Sequence, residues 1–266
     1  TPKPSSAASD VYKRQVMIGT TDERFEDRPE AARTSPSETD YLIALTNELF
    51  PQVDLKTSDI YATCAGIRPL PNSGTAKTAA ISRDHQIDER QLLGVPLLTL
   101  IGGKLTTSRA LGEQTADRVF QYLGIEREVN TRERIVYGAE NFPDRQNVEQ
   151  TLSQLAISTG YPLASCRSIW RLVGTRAAEY LSDHGSPLIS GTDLPQCAVS
   201  HMIRTEWVSC LDDLIERRLL LALDHRLTLA TIQELAALWM DFTGPIGKLE
   251  VDQTLNRLRE YYGRKI

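Results

Sequence analysis

The chain has no excess of positive charge: 30 Lys and Arg stand against 35 Asp and Glu, a formal net charge of -5. Broad attraction to nucleic acid needs clustered cations that displace phosphate counterions, so no nucleic-acid partner is expected. Cysteine is scarce as well. Cys64, Cys166, Cys197 and Cys210 lie far apart without a CxxC pair, which argues against a zinc knuckle or a disulfide scaffold and fits a reducing cytoplasm. Cys197 and His201 have the helical spacing of metal ligands, but no second pair completes a set, so no metal is expected. Long apolar runs are missing. The longest, Leu92 to Ile101, is broken by Gly94 and Pro96 and falls well short of the roughly 20 residues a membrane-spanning helix needs. A secretory signal is not apparent, and no GxGxxG occurs.

What remains is ample for a core. The 266 residues, 41% of them hydrophobic, suffice for one large or two modest domains. Residues Thr1 to Gln15 are small, polar and basic without any period, and Val16 then starts an apolar segment abruptly. They read as a non-native leader of translated sequencing-adapter type, or else a plain tail, with no chemistry in either case.

From Val16 to Leu70 the pattern predicts strand, loop, helix, strand. VMIGTT is a short β-branched run; Ser35 is an N-cap candidate for a helix that Pro51 closes; DIYATCAGIRPL alternates as a strand does and stops at Arg68-Pro69. AISRDHQID is a further strand candidate. PLLTLIGG predicts a buried parallel strand that delivers two glycines to the helix KLTTSRALGEQTADRVFQYLG. Beyond Gly124, helical spacing predicts helices over 148–158, 164–182, 196–224, 228–241 and 251–262, a second and all-helical domain, with the boundary in the loop 131–145. Trp170, Trp207 and Trp239 fall on these patterns as core or interdomain anchors. Glu206, Asp212, Asp213, Arg217 and Arg218 share one helix and predict a solvated or interdomain salt-bridge face.

The strand-to-helix junction carries the chemistry. Unpaired backbone N–H groups and the positive end of a helix dipole attract negative charge there, Gly102 and Gly103 allow close approach to the main chain, and Lys104 adds a cation. A GxxxxGK[ST] phosphate loop is excluded, because Leu98 stands where glycine is needed and Leu105 where Ser or Thr is needed. A tight turn that binds nothing is the plain alternative. Arg68 and Arg83 each end a strand candidate, and two guanidinium groups so placed can clamp a phosphate or polarise an oxyanion.

Four ordered motifs then speak together: Ile18-Gly-Thr-Thr-Asp22, Ala65-Gly-Ile-Arg-Pro-Leu70, Ser82-Arg-Asp-His85 and Gly102-Gly-Lys-Leu-Thr-Thr107. In order and spacing they resemble the C-terminal portion of FAD-dependent glycerol-3-phosphate dehydrogenase of the aerobic, quinone-linked type. AVSHMIRTEWVSCLDDLIERRLLL is similar to that family's C-terminal helical domain. The resemblance implies a fold of mixed α+β and α/β class. Residues 16–95 would belong to the substrate-binding sheet, 96–124 to the last strand and helix of the FAD-binding domain, and 131–266 to the helical domain. It implies FAD as cofactor, with Gly102, Gly103, Lys104, Leu105 and Thr106 against the flavin. Arg68 would stand beside the reacting carbon, with Arg83, Thr21 and Lys104 in the same substrate pocket. The implied reaction converts sn-glycerol 3-phosphate to dihydroxyacetone phosphate, hydride passing to the flavin and electrons to a membrane quinone. The implied setting is the cytoplasmic face of the bacterial membrane, peripherally bound, with a homodimer as one possible assembly.

The resemblance leaves the proton-accepting base open. Arginine stays protonated in proteins, so Arg68 suits orientation and oxyanion stabilisation, while His85 is adjacent in sequence but a lone histidine is more often structural. Ser108 stands where the family commonly has tyrosine. The missing GxGxxG leads us to expect that this chain alone neither retains FAD nor turns over. Two readings stay open beside this one: a flavoenzyme of the amino-acid oxidase type, and an inactive helical interaction module.

Overall fold

The structure, a computed structural model, describes residues 16–68, 84–244 and 248–266. Residues 1–15, Arg83 and the segment from Pro69 to Ser82 lie outside the described residues, so the expectation of a non-native leader falls there too. Among the described residues the chain is α+β in content, about half helical with one small sheet, and it divides into two compact units: Thr1–Ile60 with Cys64–Arg134, and Tyr61–Thr63 with Ile135–Ile266.

In the first unit, helix α1 (Pro36–Leu49) begins where the sequence predicts. The Ser35 hydroxyl accepts from the Glu38 N–H while the Glu38 carboxylate accepts from the Ser35 N–H, a reciprocal capping box, and Pro36 sits at the first helical position. Strands β1 (Gln86–Leu92) and β2 (Val95–Ile101) form an antiparallel hairpin with Gln86 opposite Ile101 and Leu92 opposite Val95. The expected parallel, buried strand is therefore corrected on both counts. Leu93 and Gly94 both adopt positive φ, the mirror-image turn whose twist suits a two-residue hairpin link, so the chain reverses there instead of crossing over. Much of β2 is exposed, although its near-continuous apolar sequence suits a strand covered on both faces.

Two other strand expectations fail among the described residues. Residues 16–21 and 60–68 carry no ladder partner there and run as irregular chain, because alternation supplies a strand's faces but not its neighbour. Helix α2 (Ser108–Leu123) follows a 3-10 turn at Leu105–Thr107 and ends on Gly124 in the left-handed conformation. Glu89 of β1 holds it: Arg118 pairs with that carboxylate at 3.2 Å, and the Tyr122 hydroxyl donates to it at 3.1 Å.

The second unit is helical around one apolar core. Helices α3 (Val148–Thr159), α4 (Leu163–Val173), the short α5 (Ala177–Tyr180), α6 (Gln196–Thr205), α7 (Leu229–Thr243) and α8 (Lys248–Tyr262) bring Ile169, Tyr180, Met202, Leu214, Leu235 and Leu258 together out of solvent. Two long predicted helices are interrupted. The 164–182 pattern breaks at Gly174 (φ 60, ψ -135), because the backbone there passes against Gly138. A Cβ on Gly174 would overlap the Gly138 carbonyl oxygen and lie 2.9 Å from its carbon, and a Cβ on Gly138 would overlap the Val173 carbonyl in turn. The Thr175 N–H donates to the Gly138 carbonyl across this crossing at 3.0 Å.

The 196–224 pattern breaks at Trp207, whose φ of 54 ends α6, and resumes as a π-helical turn at Asp213–Arg218. Trp207 is 90% exposed, so the core part of its expected core or interdomain role is corrected; its backbone is left-handed, with φ 54. Trp239 is buried, and Trp170 packs on Phe142 with ring centroids 5.5 Å apart. In the charged set, Asp213 pairs with Arg217, Arg218 stands 3.9 Å from Glu206, and Asp212 accepts from the Thr254 hydroxyl at 2.6 Å. Burial raises the Asp212 carboxyl above the usual aspartate range.

Arg264 completes the second unit from inside. It is 2% exposed, its guanidinium donates to the Ala222 and Leu227 carbonyls and to the Tyr61 hydroxyl, and it stacks 4.3 Å from the Tyr61 ring centroid. The Thr63 N–H also donates to the Tyr262 carbonyl at 3.0 Å, so residues 61–63 are held by the chain around 262–264.

Candidate functional site

Two clusters in the first unit contain the described site residues. The first is built outward from the α1 cap. Glu38, already engaged in the capping box, also accepts from the Thr21 hydroxyl at 2.5 Å. That bond, with those from Ser35, holds the Glu38 carboxyl below the usual glutamate range. The segment 16–22 has no secondary structure, and this contact tethers it to the helix start. Asp22, the next residue, reaches Arg68 across 46 positions, with Oδ2 3.1 Å from Nη1. Both side chains are partly open to solvent. Neither Asp22 nor Glu38 was singled out as a site residue from sequence. Asp22 closes the Ile18–Asp22 motif, and a carboxylate at the end of that motif was the available signal.

The second cluster is the β2–α2 turn. Gly102 and Gly103 take φ values of 69 and 101, and a Cβ on Gly103 would come within 3.0 Å of the His85 Cβ, so glycine is required there by conformation and by space. The Lys104 N–H donates to Thr107 Oγ1 at 3.3 Å and the Thr107 hydroxyl returns a bond to the Lys104 carbonyl at 3.0 Å, closing the turn that starts α2. Leu105 is 91% exposed, and Lys104 and Thr106 are exposed beside it. A bare glycine backbone, an outward-facing leucine and a helix entry together suit a flat apolar ring with an electron-rich edge. Lys104 makes no ion pair with any described residue.

His85 borders this turn without entering the cluster of charged groups. Its Nε2 lies 2.9 Å from Gln114 Oε1 on α2. With the amide oxygen as acceptor, Nε2 carries the proton and the other ring nitrogen is left to accept. Among the described residues, Thr21 bonds Glu38 and Asp22 pairs with Arg68, while Lys104 and Thr107 close the Gly102–Thr106 turn. Arg83 lies outside them. Among the described residues no group of three His, Cys, Asp or Glu could hold a metal ion, and no helix is long and apolar enough to cross a membrane. Cys197 instead packs against Tyr161, Sγ 3.2 Å from the hydroxyl, and His201 packs on the Tyr180 ring at 4.3 Å. Burial and the neighbouring thiol push the Tyr161 hydroxyl up to about 12.

No family model matches the chain. Individual relatives do, and they are dehydrogenases named for phosphorylated polyols. The chain is 32% identical over 217 residues to a glycerol-3-phosphate dehydrogenase of Synechocystis sp., covering 79% of this chain and 38% of that protein. It is 30% identical over 210 residues to the aerobic glycerol-3-phosphate dehydrogenase of Escherichia coli, 76% of this chain and 41% of the relative. A D-erythritol 1-phosphate dehydrogenase of Brucella abortus is 29% identical over 212 residues, 77% and 41% of the two chains. The chain thus spans about two-fifths of the length of these relatives. The resemblance drawn from four short motifs holds across three-quarters of the sequence: the chain is similar to part of the glycerol-3-phosphate dehydrogenases.

Proposed function

We propose that this chain is part of a flavoenzyme that oxidises sn-glycerol 3-phosphate to dihydroxyacetone phosphate and passes electrons to a quinone at the membrane surface. The similarity to the Synechocystis protein carries the reading, and the β2–α2 turn is chemically suited to it. On this reading 16–95 contributes to the substrate-binding sheet, 96–124 to the edge of the FAD-binding domain and 131–266 to the helical domain.

The residues divide the work by charge. Arg68, permanently protonated, orients the C2 hydroxyl and stabilises negative charge on that oxygen as its proton leaves. Gly102, Gly103, Leu105 and Thr106 offer backbone and an apolar surface to the flavin ring, while the α2 entry and Lys104 favour negative charge at its pyrimidine edge. Bound FAD would supply the hydride acceptor. Arg83 and Lys104 are the cations for the phosphate end. Thr21 has a lesser part, because its hydroxyl already donates to Glu38.

A chimera tests the reading: the matched region of the Synechocystis protein is replaced by the corresponding residues of this chain, and dye reduction is followed with glycerol 3-phosphate, D-erythritol 1-phosphate, glycerol and D-amino acids. Turnover on glycerol 3-phosphate and none on glycerol is expected. The Brucella relative makes D-erythritol 1-phosphate the second substrate to try. A folded, flavin-loaded chimera active only on an amino acid would reject the phosphate reading.

A further inference from the structure

Arg68 does not stand alone; the carboxylate of Asp22 touches it. We propose that Asp22 is a specificity-determining residue, setting which end of a phosphorylated polyol Arg68 receives. The inference rests on the reading of Arg68 as a substrate-site arginine.

A bare guanidinium is drawn first to the strongest anion in reach, which on a polyol phosphate is the phosphate dianion. With Asp22 at 3.1 Å the local charge is offset, one guanidinium edge is committed through Nη1, and a dianion approaching the rest of the fork meets a negative group behind it. A neutral hydroxyl, or the single developing charge of an alkoxide, meets much less opposition. Arg68 is thereby biased toward the C2 oxygen. The phosphate is left to another cation, and Lys104 is exposed and carries no ion pair with a described residue.

The position of Asp22 is imposed from outside the pair. It lies on irregular chain, and the preceding residue is bonded to Glu38, whose own geometry is fixed by the α1 capping box. The carboxylate is therefore delivered to Arg68 by a helix N-terminus and not by a chance meeting of two surface side chains.

The test uses inorganic phosphate and the chain itself, with no flavin and no turnover. The Nε–H signal of Arg68, assigned by its loss in Arg68→Lys, is followed as phosphate is added at low salt. In the unmodified chain it should not shift. In Asp22→Asn it should shift and saturate, a response that shrinks at high salt. Asp252→Asn, an equal change in net charge at an exposed position of the other unit, should leave the signal unmoved. Saturable phosphate binding at Arg68 in the unmodified chain would overturn the proposal even if Asp22→Asn failed to fold. Unchanged or weaker phosphate binding in a folded Asp22→Asn would overturn it equally. A chimera that reduces dye with no polyol phosphate would reject the proposed activity instead, and that result is read separately.

Discussion

Gly174→Ala should be among the most damaging single-methyl additions in the second unit. The methyl group meets a backbone carbonyl, so no side-chain rotation can relieve the overlap. Holding alanine at φ 60, ψ -135 costs about 1–3 kcal/mol as strained backbone. Forcing the two segments apart adds about 1–3 kcal/mol of overpacking. Weakening the Thr175 to Gly138 hydrogen bond adds about 0.5–1.5 kcal/mol. Together these give about 4 kcal/mol. Gly160→Ala is the control: φ there is also positive, at 72, but nothing lies within 4 Å of the added carbon, so about 1–2 kcal/mol is expected. All three tryptophans, Trp170, Trp207 and Trp239, lie in the second unit, so their fluorescence in urea reports its unfolding. With a slope of about 2 kcal/mol per molar urea, Gly174→Ala should move the midpoint by about 2 M and Gly160→Ala by less than 1 M. Equal midpoints for the two variants would refute the crossing as the reason for glycine.

Glu38→Ala should cost about 1 kcal/mol by removing half of the α1 capping box and should also free Thr21, read as faster amide exchange over residues 16–22. Because the folded-state Glu38 pKa is depressed, its stabilisation is complete above the ordinary value near 4.5 and is lost as pH falls below it; amide exchange in α1 unchanged between pH 6 and pH 3 would contradict this. Trp207→Ser should change stability by no more than about 0.5 kcal/mol, whereas Trp239→Ala should cost about 3–5 kcal/mol in the same urea titration. The chain alone, lacking GxGxxG, should purify without flavin absorbance; a stoichiometric flavin spectrum would refute that expectation.

The helices were legible where local signals agreed. Ser35, Pro36 and Glu38 announce α1, and Leu229–Thr243 follows Thr228, whose hydroxyl accepts from the Thr231 N–H as a cap should. The breaks were not legible: Gly174 departs from helix for a non-local reason, a backbone crossing with Gly138, and Trp207 takes a positive φ that its residue type does not announce. Strand pairing failed for a related reason. The run Leu92–Ile101 advertises an apolar strand, but its antiparallel sense is decided by two positive φ values at Leu93 and Gly94, and leucine gives no warning of such a conformation. The motifs that nominate the candidate site are local in sequence, whereas the contacts among its residues are not. Arg68 could be picked out beside Pro69, yet its partner Asp22 stands 46 positions away, and only its place at the end of a motif marks it.

The hold of Arg264 on Tyr61 places a constraint on the order in which the protein is made. The two residues are 203 positions apart, so at about 5–20 residues per second the ribosome takes on the order of 10–40 s to supply the second after the first. Through that interval Tyr61 waits without the guanidinium that joins it to the Ala222 and Leu227 carbonyls, which are themselves made only 42 and 37 positions before Arg264. The closing of the second unit around residues 61–63 therefore waits for Arg264, and an earlier chain presents Tyr61 to chaperones or to proteases before it can present it to its own core.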